Sequence, residues 1–366
     1  MIKFNSSLSP FAFLYGLAVW IRNRLFDRKL LPAERFPVPV ICVGNIAAGG
    51  TGKTPHIEYL VRLLQPRCKV AVLSRGYKRK TSGFLLADFK SSSEAIGDEP
   101  AQLIRKFPNL LLAVDADRRR GIRNLLALPE AQRPEVILLD DGFQHRYVTP
   151  SLSVILTDYS RRYCHDRLLP VGRLREPTFE LRRADIVIVT KCPPALQPID
   201  FRILETEAIF FAHQQLFFTE IAYGNLHPVF PQAAPSRTLE QIKPDEDLLL
   251  FSAIAAPRPF TEKITGHARK AVCVSFPDHS PFGKQEFHKL KTLFDSMPSP
   301  SKLLVTTEKD AARLINNPRL PKEWKSRLYV LPVTVRFCRE SQPAFDSLIL
   351  KHIETYRQTI TQHKQS

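Results

Sequence analysis

The sequence predicts an α/β fold in which a parallel sheet flanked by helices is followed by a second, smaller α/β domain. Short and nearly continuous apolar runs alternate with helical segments from about residue 37 onward. Strands that helices bury on both faces have such runs, whereas half-exposed strands alternate apolar and polar residues. The chain has 366 residues, which is long enough for two domains with separate cores, and its hydrophobic fraction of 44% excludes global disorder.

The N-terminal segment, residues 1–30, is predicted to be an amphipathic helix that associates with a membrane. An apolar run from Leu8 to Ile21 precedes four basic residues: Arg22, Arg24, Arg28 and Lys29. The run is short for a membrane span, which needs about 20 apolar residues, and no cleavage site of a signal peptide follows it. A helix packed on the domain and a single span remain open, but the basic residues and Trp20 favour a helix lying in the membrane surface.

The first domain, residues 31–200, is predicted to contain the parallel sheet. Its strands are Val38–Val43, Lys69–Ser74, Leu110–Val114, Val136–Leu139, Ser153–Thr157 and Ile186–Thr190. The helix after the first strand places Ile57, Leu60, Val61 and Leu64 on one face, a spacing typical of a helix that packs on a sheet.

Residues 201–237 are predicted to form an extended linker that resembles a β-hairpin. Two aromatic-rich runs, Ile209–Ala212 and Leu216–Tyr223, precede proline-rich sequence there. The C-terminal α/β domain is predicted over residues 238–366. Its strands are Leu248–Ser252, Ala271–Phe276, Leu303–Thr306 and Tyr329–Val333.

A glycine-rich loop after the first strand carries the strongest local signal. The sequence G-N-I-A-A-G-G-T-G-K-T ends at Thr54 and opens a helix, as a phosphate-binding loop does. Lys53 is expected to reach the β- and γ-phosphates, and the Thr54 hydroxyl is expected to bind Mg²⁺. The first glycine of the usual motif is Ala47 here, and a turn that binds nothing is the disfavoured alternative. Eight residues are therefore predicted to contact the nucleotide: Ala47, Ala48, Gly49, Gly50, Thr51, Gly52, Lys53 and Thr54.

Acidic residues follow two of the sheet's segments. Asp140 and Asp141 end an apolar strand, and ligands of open parallel sheets bind at the carboxyl ends of strands, so these residues are candidate Mg²⁺ ligands. Asp-Asp-Gly is also a good turn sequence. Asp98 and Glu99 precede a helix; either could cap that helix, or one could act as a general base toward a hydroxyl.

The charge balance predicts an acidic partner. The formal net charge is +17, which suits nucleic acid, anionic lipid or a phosphorylated substrate. Aromatic residues are interleaved with the buried strands and not with the basic clusters, so no surface for stacking bases is evident. This argues against a protein that binds nucleic acid. The six cysteines form no C-x-x-C pair, so neither a disulfide scaffold nor a cysteine metal site is expected, as is typical of the cytoplasm.

Seven motifs in order resemble the tetraacyldisaccharide 4'-kinase family of lipid A biosynthesis. They are VGNIAAGGTGKTP (43–55), SRGY (74–77), GDEPAQ (97–102), LDDGFQH (139–145), LPVGRLREP (169–177), FPDH (276–279) and TEKD (307–310). Each alone is weak, but together they cover nearly the whole chain, and the family's phosphate loop also lacks the first glycine.

The resemblance implies a P-loop NTPase-like fold and ATP- and Mg²⁺-dependent phosphorylation of the 4'-hydroxyl of a tetraacyldisaccharide 1-phosphate. It implies that Asp98 is the base, paired with His279 of the second domain. The remaining motif residues would line the substrate site: Arg75, Tyr77, Arg118, Gln144, His145, Arg175 and Glu176. For Arg118, the neighbouring arginines are alternatives. The resemblance also implies a monotopic protein on the cytoplasmic face of the bacterial inner membrane, and we expect a monomer.

A P-loop GTPase or a metallochaperone-like switch is the alternative function. Guanine recognition usually needs an Asp after an N/T-K pair, and Thr190-Lys191-Cys192-Pro193 lacks one. A preference for GTP in a binding assay would favour this alternative.

Overall fold

The computed structural model describes residues 8–208, 211–268, 270–278 and 280–365. Two sheets, each with its own hydrophobic core, divide these residues into two lobes. The predicted α/β class is confirmed.

The first lobe contains a nine-stranded sheet. Its strands are β1 (Val40–Gly44), β2 (Val70–Ser74), β3 (Leu85–Ala87), β4 (Leu111–Val114), β5 (Val136–Asp140), β6 (Leu152–Asp158), β7 (Ile186–Thr190), β8 (Gln215–Tyr223) and β14 (Val333–Phe337). Their spatial order is β14-β8-β7-β6-β1-β5-β2-β4-β3. The two edge strands, β3 and β14, run antiparallel to their neighbours, and the other pairings are parallel. The six strands predicted for this domain are confirmed.

Helices cover both faces of this sheet. The helices of this lobe are α1 (Ser9–Asp27), α2 (Lys53–Leu64), α3 (Ser93–Ile96), α4 (Asp98–Lys106), α5 (Arg118–Leu126), α6 (Pro198–Ala208) and α10 (Gln342–Gln365). Along β1, Ile41 and Val43 join one core, whereas Val40 and Cys42 join the core on the opposite face. Burial on both faces is why the strands have continuous apolar sequences.

The second lobe contains a five-stranded sheet. Its strands are β9 (His227–Pro228), β10 (Asp247–Ser252), β11 (Lys270–Ser275), β12 (Lys302–Thr306) and β13 (Leu328–Val330), in the order β11-β10-β12-β13-β9. Its helices are α7 (Arg258–Thr265), α8 (Lys284–Ser296) and α9 (Glu308–Leu314). The predicted strand at Tyr329–Val333 is instead divided: β13 ends at Val330, and β14 begins at Val333 in the other sheet.

The predicted linker over residues 201–237 differs from the structure. The first part of this segment belongs to α6, which ends at Ala208. It is helical because Phe201, Leu204 and Ala208 recur at helical spacing and are buried. The extended part, β8, pairs in parallel with β7 rather than forming a hairpin, and its Phe217 and Phe218 enter two different cores. Residues 209 and 210 of the predicted extended run lie outside the described residues.

The C-terminal end of the chain also differs from the predicted boundary. β14 pairs with β8, and α10 packs Phe345, Ile349 and Ile353 into the core of the first lobe. The second lobe thus lies between Leu226 and Leu331 and is inserted into the first. Local sequence patterns do not reveal such a return, since β-pairing partners can be distant in the chain.

Helix α1 is anchored at its middle and at its C-terminal end: the Tyr15 hydroxyl donates to the Arg175 carbonyl at 2.8 Å, and Arg22 donates to the Gln144 carbonyl at 2.7 Å. Phe26 is buried and its ring packs edge-on against Tyr147, while Asp27 binds Arg146 at 2.7 Å and also binds Arg182 at 2.5 Å. A helix is therefore present over Ser9–Asp27, and residues 1–7 of the predicted segment lie outside the described residues. Within the described ranges, no helix has the length and apolar character needed to cross a bilayer.

Candidate active site

The glycine-rich loop has the backbone geometry that a phosphate cradle needs. Gly49 has a φ of 120° and Gly52 a φ of 86°, which are conformations that favour glycine. Two side chains hold Thr51 between them: its hydroxyl accepts a hydrogen bond from the Asn45 amide at 2.8 Å, and its carbonyl accepts one from the Thr190 hydroxyl at 2.9 Å. The loop is therefore supported before any nucleotide binds.

A second segment lies along the loop. The Ala48 N–H donates to the Arg173 carbonyl, and the Arg175 N–H donates to the Ile46 carbonyl, each at 2.7 Å. On the other side, Lys191 donates to the Gly50 carbonyl and to Asp158. Thr190 and Lys191, the Thr-Lys pair weighed for the GTPase alternative, thus both support the phosphate loop.

Lys53 lies beside the acidic pair. Its ammonium is 3.7 Å from Asp141, which also binds Arg175 at 3.0 Å. Burial would raise the pKa of Asp141, but the positive charges of Lys53 and Arg175 outweigh burial and hold that pKa below its usual value. Asp141 is thus ionised at neutral pH. Its negative charge reduces the repulsion between the positively charged side chains of Lys53 and Arg175.

Asp140 has the properties of a metal ligand. It is buried, and its Oδ2 accepts a hydrogen bond from the Ser74 hydroxyl at 3.0 Å, while its Oδ1 has no hydrogen-bond partner among the described residues. Burial, reinforced by the negative charges of Glu99 and Asp141, raises its pKa to about 7. An unpaired buried carboxylate oxygen next to other carboxylates suits a hard cation such as Mg²⁺.

Asp98 begins α4 and faces the second lobe. Gly97 occupies the N-cap position of that helix, so the interpretation of Asp98 or Glu99 as the cap is wrong. The Oδ2 of Asp98 accepts a hydrogen bond from Arg313 of α9 at 2.6 Å. Arg313 lies outside the seven sequence motifs, so its contact with Asp98 was not predicted. His279, the predicted partner of Asp98, lies outside the described residues.

Gly97 also brings two of the sequence motifs together. Its φ is 94°, and a Cβ there would lie 3.0 Å from the Tyr77 carbonyl oxygen and 3.2 Å from the carbonyl carbon of Gly76. The close approach places the S-R-G-Y segment directly beside the residue that precedes Asp98. Arg75 and Tyr77 of this segment are exposed.

The three consecutive arginines have different surroundings. Arg118 is buried, donates to the carbonyls of Asp115 and Ala116, and is close enough to Asp140 and Asp141 to interact with them electrostatically. Arg119 instead stacks over a tyrosine ring, and Arg120 binds the Asp115 carboxylate with two hydrogen bonds. Of the three, Arg118 is therefore the one that faces the acidic pair.

The other predicted substrate residues are placed differently from one another. The Gln144 amide donates to the Asn45 carbonyl at 2.7 Å, and thus helps to hold the phosphate loop. Burial, with Arg118 nearby, lowers the pKa of His145 to about 4, so this imidazole is neutral at pH 7. Glu176 is buried and binds Arg183 at 2.6 Å, so its carboxylate orients the segment rather than facing solvent.

A group of potential metal ligands lies outside these motifs. Cys164, His165 and Glu207 place one ligand atom each within 4.8 Å of the others. Arg162 binds the Glu207 carboxylate at 2.7 Å and His165 contacts it at 3.2 Å, so the group is accounted for as an ion-pair cluster.

Comparisons with known proteins agree with the motifs. A family model described as tetraacyldisaccharide-1-P 4'-kinase (LpxK) matches residues 4–354. A tetraacyldisaccharide 4'-kinase of Parabacteroides distasonis is 57% identical over 97% of this chain and 96% of its own length. One of Bacteroides fragilis is 46% identical, covering 96% of this chain and 94% of its own.

A solved structure has the same fold. It is described as the "apo" form of LpxK from Aquifex aeolicus in complex with ATP, and it superposes with a TM-score of 0.72 at 30% identity. The match covers 95% of this chain and 99% of that one.

Proposed function

The chain belongs to the tetraacyldisaccharide 4'-kinase family, and from this premise we propose that it transfers the γ-phosphate of ATP to the 4'-hydroxyl of a tetraacyldisaccharide 1-phosphate. The observation that carries the proposal is the position of Lys53. Its ammonium, at the end of a phosphate loop, is 3.7 Å from one carboxylate of an acidic pair whose other member has an unpaired buried oxygen. Nucleotide phosphates and a divalent cation both fit there.

The phosphate loop would bind the nucleotide. Backbone N–H groups of the loop and of the N-terminus of α2 would surround the phosphates, apart from those of Ala48 and Thr51, which donate to the Arg173 and Gly49 carbonyls. Lys53 would neutralise charge on the β- and γ-phosphates. Thr54, Asp140 and Asp141 would hold Mg²⁺, which supplies charge neutralisation when it is bound. Arg118 and Arg175 lie next to the acidic pair and add positive charge where the transferred phosphoryl group develops negative charge.

Asp98 would act as the general base. The bond between the phosphorus and the bridging oxygen of ATP breaks, a bond from the 4'-oxygen to that phosphorus forms, and the hydroxyl proton goes to the Asp98 carboxylate. Its position at the junction of the two lobes supports this role, because only docking of the second lobe completes its surroundings. His279 would act with it.

The acceptor would be held by polar residues of the sequence motifs. Arg75 and Tyr77 are exposed beside Gly97, while Gln144 and His145 follow the acidic pair. The 1-phosphate of the acceptor needs a positive group, which Arg75 offers. Glu176 contributes through its ion pair with Arg183.

Helix α1 would lie in the membrane surface on the cytoplasmic face of the inner membrane. Its apolar side chains are exposed, with Phe13 at 71% and Leu14 at 60%, although such side chains are normally buried. The helix would insert these side chains among acyl chains, while its basic residues contact lipid phosphates. A monomer suffices for this arrangement, since one chain supplies both lobes of the site.

The experiment that tests this function follows labelled γ-phosphate. With Mg-ATP and tetraacyldisaccharide 1-phosphate in detergent micelles, label should enter the lipid, and Lys53→Ala should reduce transfer by about 10³-fold or more, since it removes the positive charge on the transferred group. Asp98→Asn should reduce transfer by about 10²- to 10⁴-fold, which leaves a measurable residual rate, while ATP still binds. Label released only to water, or a preference for GTP, would contradict the proposal.

A further inference from the structure

Helix α9 carries the T-E-K-D motif, for which the function described so far has no role. The helix packs against α4 of the first lobe, so the motif lies at the junction of the two lobes. Three polar contacts join these helices: Asp98 with Arg313, Arg105 with the Ala312 carbonyl, and Lys106 with Glu308, each at 2.6 Å. One of the three reaches the proposed base.

Asp310, a residue of the motif, also binds Arg313 and fixes the orientation of its guanidinium. The Nη1 of Arg313 donates to Oδ1 of Asp310 at 2.9 Å, while its Nη2 donates to Asp98. The second oxygen of Asp310 accepts hydrogen bonds from the Ala253 N–H at 3.0 Å and from the Thr307 hydroxyl at 2.7 Å. Asp310 is fully buried, so its carboxylate has one orientation, and the guanidinium takes its orientation from it.

We propose that Arg313 is a positioning residue for phosphoryl transfer, which holds the Asp98 carboxylate in the orientation needed to accept the hydroxyl proton. The proposal rests on the role of Asp98 as the base. Thr307 and Asp310 of the motif fix the orientation of the Arg313 side chain. Arg313 in turn fixes the orientation of the Asp98 carboxylate. Because Arg313 comes from the second lobe, the base is oriented only when that lobe is docked, which limits hydrolysis of ATP by an open enzyme.

The chemistry of the contact favours arginine. The side chain of Arg313 is 5% exposed, and it bridges two carboxylates on different lobes. A planar guanidinium presents several N–H donors in fixed directions, whereas the ammonium of lysine is a point charge on a flexible chain. A lysine would thus preserve charge but not the orientation of Asp98. Misplacement of a reacting group by about 1 Å can cost about 10²-fold in rate.

The test is the turnover of Arg313→Lys in the full-length enzyme, with Mg-ATP and tetraacyldisaccharide 1-phosphate in micelles. We expect kcat to fall by roughly 10- to 100-fold, with the KM for ATP unchanged because the phosphate loop is intact. The matched control is Arg105→Lys, which alters another contact between α4 and α9 and should retain kcat. If Arg313→Lys fails to fold in a thermal-unfolding assay, Asp310→Asn replaces it, since it keeps the shape and weakens the support of Arg313.

A double-mutant cycle separates positioning from a merely structural role. If Arg313 acts through Asp98, Arg313→Lys should cause no further loss in an Asp98→Asn background. Multiplicative losses, or wild-type kcat in Arg313→Lys beside a strongly slowed Asp98→Asn, would overturn this proposal alone. Wild-type turnover in Asp98→Asn would remove the base itself, and this proposal with it.

Discussion

At the scale of single residues, the site combines two neighbouring aspartates that differ in their protonation. Lys53 and Arg175 keep Asp141 ionised, whereas Asp140 is buried with an unpaired oxygen and has a pKa of about 7. Paired carboxylates whose surroundings move their pKa values apart are common at functional sites. When no cation is bound, the charged carboxylate of Asp140 thus lowers the stability of the folded protein. The proposed function nevertheless requires this carboxylate.

Asp140→Asn should therefore stabilise the ligand-free protein and abolish transfer. The pKa of Asp140 is higher in the folded than in the unfolded chain, so the folded state binds more protons between about pH 4 and pH 7, and the wild type loses stability as pH rises through that window. Asparagine does not titrate. The melting temperature of Asp140→Asn should therefore exceed that of the wild type at about pH 8, and the two melting temperatures should become similar near pH 5. A lower melting temperature for Asp140→Asn at pH 8 would show that its charge stabilises the fold.

At the scale of elements, the start of α4 depends on a glycine. Gly97 has a φ of 94°, and a Cβ there would press on the Tyr77 carbonyl. Gly97→Ala should cost about 2 kcal/mol or more in the free energy of unfolding and lower kcat, because it displaces Asp98. Gly83→Ala is the control: its φ is 74°, but nothing lies within 4 Å of the added Cβ, so it should cost about 1 kcal/mol and leave kcat unchanged. Equal effects of the two variants on kcat would contradict the packing argument.

Helix α1 offers a second prediction at this scale. Replacing Phe13 and Leu17 with serine removes two exposed apolar side chains and should reduce co-flotation with anionic vesicles by about 10-fold or more, at roughly 25 cal/mol per Å² of lost apolar contact. Nucleotide affinity should not change. Phe89→Ser, at a phenylalanine outside α1 that is 61% exposed, is the control. Flotation that is unaffected by the α1 substitutions would place the membrane contact elsewhere.

At the scale of the whole molecule, the sequence predicted what is local and missed what is distant. The phosphate loop follows β1 and Asp140 ends β5, so local sequence predicts that both lie at the edge of the sheet where the ends of parallel strands meet. The contact of Arg313 with Asp98 joins residues 215 positions apart, so no local pattern could indicate it. β14 was missed for the same reason, since its partner β8 lies on the other side of the inserted lobe.

The register of the three arginines shows the same limit. All three follow β4, and the sequence gives no reason to prefer one of them. Successive residues of α5 point in different directions. Arg118 therefore faces the acidic pair, whereas Arg120 forms an ion pair with Asp115. Only the packing of α5 against the sheet decides which side chain faces the site.

The central claim is that Lys53-dependent transfer goes to the 4'-hydroxyl of the acceptor, and the most direct test is the structure of the lipid product. Phosphorus NMR of the product should show two phosphate monoesters, one at the original 1-position and one at the 4'-position, and a 4'-deoxy acceptor should receive no phosphate. A diphosphate at the 1-position, or phosphorylation of the 4'-deoxy acceptor, would contradict the account.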